Sequence, residues 1–276
     1  MNLRKLMFVL PNLFTVTSIF CGFYALTLCA GAATPTHLYQ AALAIFFAMF
    51  FDAFDGRVAR LTKTQSEFGV QLDSLADVMS FGAAPALLLY KWALGDLGIV
   101  GIFIAFSFAA CGALRLARFN VIAARSPKGG GGSFFVGLPI PLAAGMLVAL
   151  VIANYGASGG EVLATSAQVP VAVVVATLAL LMVSTVRYRT FKDVRLSPKS
   201  IGIFLAICAT GVVIATQLHP AFVLVVFFSI YLLLGLVESA VILATRLGAR
   251  KAAVGGAGAA VVDDTEEDDV EEQDFL

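Results

Sequence analysis

The stretch DAFDGRVARLTKTQSEFGVQLDSLAD, running from Asp52 to Asp77, decides how the rest of the chain is read. It places four aspartates, two glycines and two arginines where one long apolar run ends and the next begins. Ionised side chains are expensive in hydrocarbon, so a carboxylate cluster bordering membrane-length segments points to a functional site. The remainder is read as the scaffold that holds this cluster at a membrane surface.

Working outward, the chain has 276 residues, of which 60% are hydrophobic and 13% charged, with a mean hydropathy of +0.94. A soluble domain carries about twice that charge. Its apolar runs approach the roughly 20 residues that a spanning helix needs and lack the two-residue alternation of a barrel strand. The expected fold is an all-α polytopic membrane protein. Eight spans are expected, at 13–31, 39–61, 68–90, 97–122, 136–154, 168–187, 200–217 and 220–246. Residues 1–12 are expected to form a short interfacial helix ahead of Pro11-Asn12, with Leu3, Leu6, Met7 and Leu10 at helical spacing beside Arg4 and Lys5. Residues 13–200 then form a six-span core, 201–250 two further spans, and 251–276 a linker with a disordered acidic tail.

The formal net charge of zero conceals an asymmetry. Nine of the 18 acidic residues lie in 263–276, so the first 262 residues carry 18 basic against nine acidic groups. With eight spans and the N-terminus inside, 17 of the 18 basic residues fall on one face and only Lys91 on the other. By the positive-inside rule that face is cytoplasmic, and with it the aspartate cluster and both termini. Cys21, Cys29, Cys111 and Cys208 sit singly in apolar runs and read as small buried hydrophobes. With only two histidines, a zinc or haem centre is not expected.

Spacing organises the cluster. Asp52, Asp55, Gly56 and Ala59 share one face of the second span's cytoplasmic end, and Gly69, Asp73 and Asp77 share one face of the third span. The short connection lets the two faces meet. Converging carboxylates need neutralising, and an oxygen-only donor set implies a hard divalent cation: Mg²⁺, Mn²⁺ or Ca²⁺. Four carboxylates suffice for two such ions, an arrangement suited to displacement at phosphorus. Gly56, Ala59 and Gly69 either leave room for a phosphate-bearing ligand or let helices pack closely. Arg57, Arg60 and Lys63 either bind phosphate or anchor the helix end, with Arg60 placed best for binding.

These residues resemble the fingerprint of the CDP-alcohol phosphotransferases, D-x2-D-G-x2-A-R-x8-G-x3-D-x3-D. Asp52, Asp55, Gly56, Ala59, Arg60, Gly69, Asp73 and Asp77 fill every position. The resemblance implies a helical membrane enzyme, usually a homodimer, in which a hydroxyl displaces CMP from a CDP-linked lipid or alcohol. It implies Asp52, Asp55 and Asp73 as metal ligands, Asp77 as general base that also contacts metal, and Gly56, Arg60 and Ser66 as lining of the nucleotide and diphosphate pocket. Further stretches between residues 10 and 200, among them LPNLFTVTSIFCG (10–22) and GALRLARFN (112–120), resemble the serine-using bacterial branch. That implies CDP-diacylglycerol as donor and L-serine as acceptor.

A serine carboxylate needs a cation. Arg115 and Arg118 are the candidates, with Asn120 as polar companion, interface anchoring being their alternative role. Asn12 and Thr15 are placed either at the diphosphate or, for Asn12, as N-cap of the first span. Glu238 is expected to make a hydrogen bond inside the bundle. The rival readings are a phosphatidylglycerol phosphate or phosphoinositide synthase and, from another class, a cation- or proton-coupled transporter. Membrane lipid is an expected partner and nucleic acid is not.

Overall fold

Local sequence sets where the helices begin. In a computed structural model, which describes residues 3–62, 66–125, 134–158, 168–189, 222–237 and 245, the first helix, α1, covers Leu3–Ala30. The second, α2, covers Pro35–Leu61. It opens with Pro35 in its first position, where the missing N–H costs nothing, and the Thr34 hydroxyl accepts a 3.2 Å hydrogen bond from the His37 N–H. Helix α3, Glu67–Asp77, is capped by Ser66, whose Oγ accepts from the Gly69 N–H at 3.0 Å.

Beyond Asp77 the third span changes geometry without stopping. A π-helical turn at Val78–Ala83 is followed by α4 (Ala84–Leu89), a second π turn at Tyr90–Leu94 and a 3-10 turn at Gly95–Leu97. Together they form one apolar rod of 31 residues, Glu67–Leu97, where a span of 68–90 was expected. Each π turn absorbs extra residues and turns the face that follows it. Next come α5 (Ile99–Arg125), a strand β1 (Phe134–Val136), α6 (Ile140–Ala157), α7 (Gln168–Val183), a strand β2 (Arg187–Arg189) and α8 (Phe222–Val237).

Packing puts the third span at the centre. It touches α1, α2, α5 and α6, while α1 lies along α2, α2 against α6 and α5 against α7. Contacts between bare backbones allow this closeness. A side chain at Gly22 would run into Ser80 of the first π turn, whose hydroxyl instead donates to the Ser18 carbonyl at 3.0 Å. Small residues at crossings are the usual means of helix association in lipid, where apolar burial between helices gives little. The outer surface is correspondingly apolar, with Phe20, Phe103, Phe106 and Leu180 exposed.

Among the described residues, five helices are long and apolar enough to cross a membrane: Asn12–Ala30, Pro35–Ala59, Glu67–Leu97, Ile99–Ala124 and Ile140–Ala157. Two shorter ones, Gln168–Val183 and Phe222–Val237, coincide with the sixth and eighth expected spans. The protein is therefore an all-α polytopic membrane protein among its described residues, apart from one small ribbon. The seventh expected span, the linker and the acidic tail lie outside those residues, as do Cys208 and Glu238.

Three expectations need correcting. The N-terminal amphipathic segment is helical but not separate: α1 passes through Pro11-Asn12 unbroken, and the apolar span begins within it at Asn12. Proline removes one N–H bond and strains one turn, which a long helix tolerates. Asn12 therefore caps nothing. The fifth span starts later than expected, at Ile140, and the sixth ends earlier, at Val183, because Phe134–Val136 and Arg187–Arg189 pair as an antiparallel ribbon. Gly137, at φ +78°, ends that ribbon by donating to the Val186 carbonyl at 2.8 Å. Only glycine fits there, since a Cβ would meet the Met182 carbonyl oxygen.

Candidate active site

The hairpin of α2 and α3 brings the aspartates together. Asp52 and Asp55 lie one turn apart on α2, nine and six residues before its end at Leu61, while Asp73 and Asp77 lie one turn apart on α3. Carboxylate oxygens of Asp52, Asp55 and Asp73 all fall within 4.8 Å of one another. Asp52 also stands in side-chain hydrogen-bonding contact with both Asp73 and Asp77. Two carboxyls in contact require a proton or a cation between them. Unit charges about 4 Å apart repel by ~4 kcal/mol at an effective dielectric constant near 20, so the bare cluster is costly. The donors are all carboxylate oxygens, which suits a hard divalent ion such as Mg²⁺, Mn²⁺ or Ca²⁺. The residues fit the group that the fingerprint implies.

The four are not equivalent. Asp55 is buried and accepts a 2.7 Å hydrogen bond from Thr15 Oγ1 on α1, itself buried, and a second from the Gly56 backbone N–H. Asp77 is buried at the very end of α3, where the π turn begins, and its Oδ1 has no hydrogen-bond partner among the described residues. Among the four, Asp77 also lies within the field of a guanidinium, that of Arg115 on α5. An oxygen both buried and unpartnered demands a ligand, because leaving it so costs roughly 1–3 kcal/mol.

Arg115 lies ten residues before the end of α5, and Asp77 ten residues after the start of α3. At 1.5 Å per residue both sit about 15 Å along their helices from the same face of the bundle. Arg115 is buried and its Nε has no hydrogen-bond partner among the described residues. Arg118, one turn further out, is exposed and reaches the Val183 carbonyl at the C-terminus of α7 at 3.5 Å. That is a favourable place for a cation. Asn120 is engaged within the protein, its Nδ2 donating to Ser74 Oγ at 2.9 Å. Ser74, beside Asp73, was not singled out by sequence. It resembles any helical serine until α5 is known to lie opposite it.

The small residues separate as well. No described atom comes within 4 Å of a Cβ at Gly56, so among the described residues nothing packs closely against it. Gly69 is half-covered, its built Cβ 3.2 Å from Ser66 Oγ and 3.7 Å from Asn12 Oδ1. Asn12 thus reaches the mouth of the α2–α3 hairpin from α1. Ala59 is half-buried beside Gly56, and Arg57 is exposed. The side chain of Arg60 and the whole of Lys63 lie outside the described residues.

Comparison with known proteins agrees with this arrangement. Residues 8–184 match the CDP-alcohol phosphatidyltransferase family. A CDP-diacylglycerol–serine O-phosphatidyltransferase of Helicobacter pylori is 34% identical over 232 residues, covering 84% of this chain and 91% of that protein. One from Bacillus subtilis is 34% identical, covering 66% and 91% respectively. An archaetidylserine synthase of Methanothermobacter thermautotrophicus is 34% identical, covering 68% and 73%. A fingerprint complete at every position, a match across more than half the chain and four aspartates gathered by two helices agree: this chain belongs to the CDP-alcohol phosphatidyltransferase family.

Proposed function

We propose that this protein transfers the phosphatidyl group of CDP-diacylglycerol to the hydroxyl of L-serine and releases CMP. The observation that carries the chemistry is the buried Asp77 Oδ1, without a hydrogen-bond partner among the described residues, beside three converging carboxylates. The choice of serine is supported by the names of the relatives, two of which align over 91% of their length.

Asp52, Asp55 and Asp73 would hold the cation, with Asp77 at its edge. A bound divalent ion, Mg²⁺ or Mn²⁺ and as many as two by the carboxylate count, would neutralise the diphosphate and ease the departure of CMP. Gly56 leaves the space in which the cytidine diphosphate lies, with Asn12, Ala59, Arg60, Ser66 and Gly69 around it, while the acyl chains stay in lipid. Thr15 fixes the rotamer of Asp55 and so the shape of the cluster. Asp77 takes the proton from the serine hydroxyl as that oxygen bonds to the phosphorus bearing diacylglycerol. The bond from that phosphorus to the CMP oxygen breaks. Arg115 receives the serine carboxylate and Arg118 strengthens the positive field at the entrance.

CMP release from CDP-diacylglycerol should depend on L-serine and match phosphatidylserine formation one to one. Release that ignores serine would count against the proposal.

The basic bias supports a cytoplasmic position for the site and both termini, where soluble serine is available. A membrane-impermeant label should reach a cysteine placed at position 160 in intact cells and miss one at position 250; the reverse pattern overturns this orientation. As the family resemblance implies, the protein is a homodimer. A single-protomer mass in detergent by light scattering would refute that.

A further inference from the structure

One face of α1 grips both helices that carry the aspartates. Thr15, Ser18 and Gly22 recur at i, i+3 and i+7, a spacing that lines them up along the helix. Thr15 Oγ1 donates to Asp55 of α2 at 2.7 Å. One turn further, about 4.5 Å along α1, the Ser18 carbonyl accepts from Ser80 Oγ at 3.0 Å. Gly22 provides the room for that contact, since a Cβ there would lie 2.5 Å from Ser80 Oγ and 2.8 Å from Ser80 Cα. Thr15, Ser18 and Ser80 are all buried, so both bonds are shielded from water.

Ser80 follows Asp77 by three residues, inside the π turn that begins at Val78. Bonding there runs from residue to residue i+5, as when the Ala84 N–H donates to the Met79 carbonyl. Such turns are rare and concentrate at functional sites. The Ser18 carbonyl does not need Ser80, because within α1 it is served by the Gly22 N–H four residues on. The bond from Ser80 is therefore additional to the helix, and what it fixes is the π turn.

We propose that Ser80 is a positioning residue for Asp77. Its hydroxyl pins the π turn to α1 and so sets the depth and rotation at which the Asp77 carboxylate enters the cluster. Helix α1 then acts as a ruler between the two halves of the site: Thr15 places Asp55 from α2, and the Ser18 carbonyl, through Ser80, places Asp77 from α3. This rests on the reading of Asp77 as the group that takes the proton from the acceptor hydroxyl.

The test is Ser80→Ala, which keeps the backbone and removes the hydroxyl without leaving a carbonyl on α1 unserved. Turnover number kcat should fall by roughly 10- to 100-fold, the effect of a displacement of about 1 Å in a reacting group. Both KM values and the metal concentration for half-maximal activity should stay near those of the wild type. Gly22→Ala, which pushes the same turn away sterically, should lower kcat in the same way. Phe228→Leu, which loosens the contact of α8 with Gly145 of α6, should lower Tm and leave kcat unchanged below it. In an Asp77→Asn background Ser80→Ala should add little, because the two residues act as one unit. An unchanged kcat in Ser80→Ala beside an inactive Asp77→Asn overturns the role of Ser80 alone, as does a loss that adds in full to that of Asp77→Asn. Normal turnover in Asp77→Asn would instead overturn the reading of Asp77, and the role of Ser80 with it.

Discussion

Thr15 Oγ1 donates a 2.7 Å hydrogen bond to Asp55 Oδ2, tying α1 to the aspartate cluster between α2 and α3. Both residues are buried, so the bond is shielded from water and fixes which way the Asp55 carboxylate faces. Groups that orient a metal ligand typically govern metal affinity by a factor of 10–100.

Thr15→Val should therefore raise the Mg²⁺ or Mn²⁺ concentration for half-maximal activity by roughly that factor. Activity should recover at high metal concentration, and Thr15→Ser should behave nearly as wild type. A metal dependence unchanged in Thr15→Val would show that the hydrogen bond does not shape the cation site.

Two glycines offer a matched comparison. Among the described residues there is open space above Gly56, whereas a Cβ at Gly22 would strike Ser80. Gly56→Ala should leave Tm unchanged or slightly higher, alanine being the better helix former by ~1 kcal/mol, while raising the KM for CDP-diacylglycerol. Gly22→Ala should lower Tm by forcing α1 away from the third span. Equal effects on stability would mean that the space above Gly56 is not kept for a ligand.

Asp77→Asn keeps the shape of the side chain and removes its basicity. Turnover should fall by about 10²–10⁴, the usual contribution of a positioned proton acceptor. Binding of CDP-diacylglycerol, followed by equilibrium dialysis of the labelled nucleotide lipid, should be largely retained. Normal turnover in this variant would remove Asp77 from its assigned role.

The site was legible in the sequence to the extent that it is local. Asp52, Asp55, Asp73 and Asp77 lie within two adjoining helices, where a spacing of three or four residues dictates which side chains share a face. What was not legible depends on partners distant in sequence. Thr15 reads as a contact to the diphosphate until α1 is laid against α2. Asn120 lies 2.9 Å from Ser74, a contact visible only once α5 is laid against α3. Helix ends failed for a related reason. Pro11 looked like a boundary because proline removes one hydrogen bond, but the surrounding turns carry α1 through it. The π turns after Asp77 leave no mark in apolar periodicity, yet they stretch the third span to Leu97 and direct Ser80 at α1.

The central claim is tested most directly by an acceptor panel. Purified protein is given CDP-diacylglycerol and Mg²⁺ or Mn²⁺, with L-serine, glycerol 3-phosphate or inositol phosphate, before and after chelation by EDTA. Phosphatidylserine and CMP should form in equal amounts with serine alone, stop on chelation and resume when either ion is restored. Product from glycerol 3-phosphate or inositol phosphate but not serine, or transfer that survives chelation, would contradict the account.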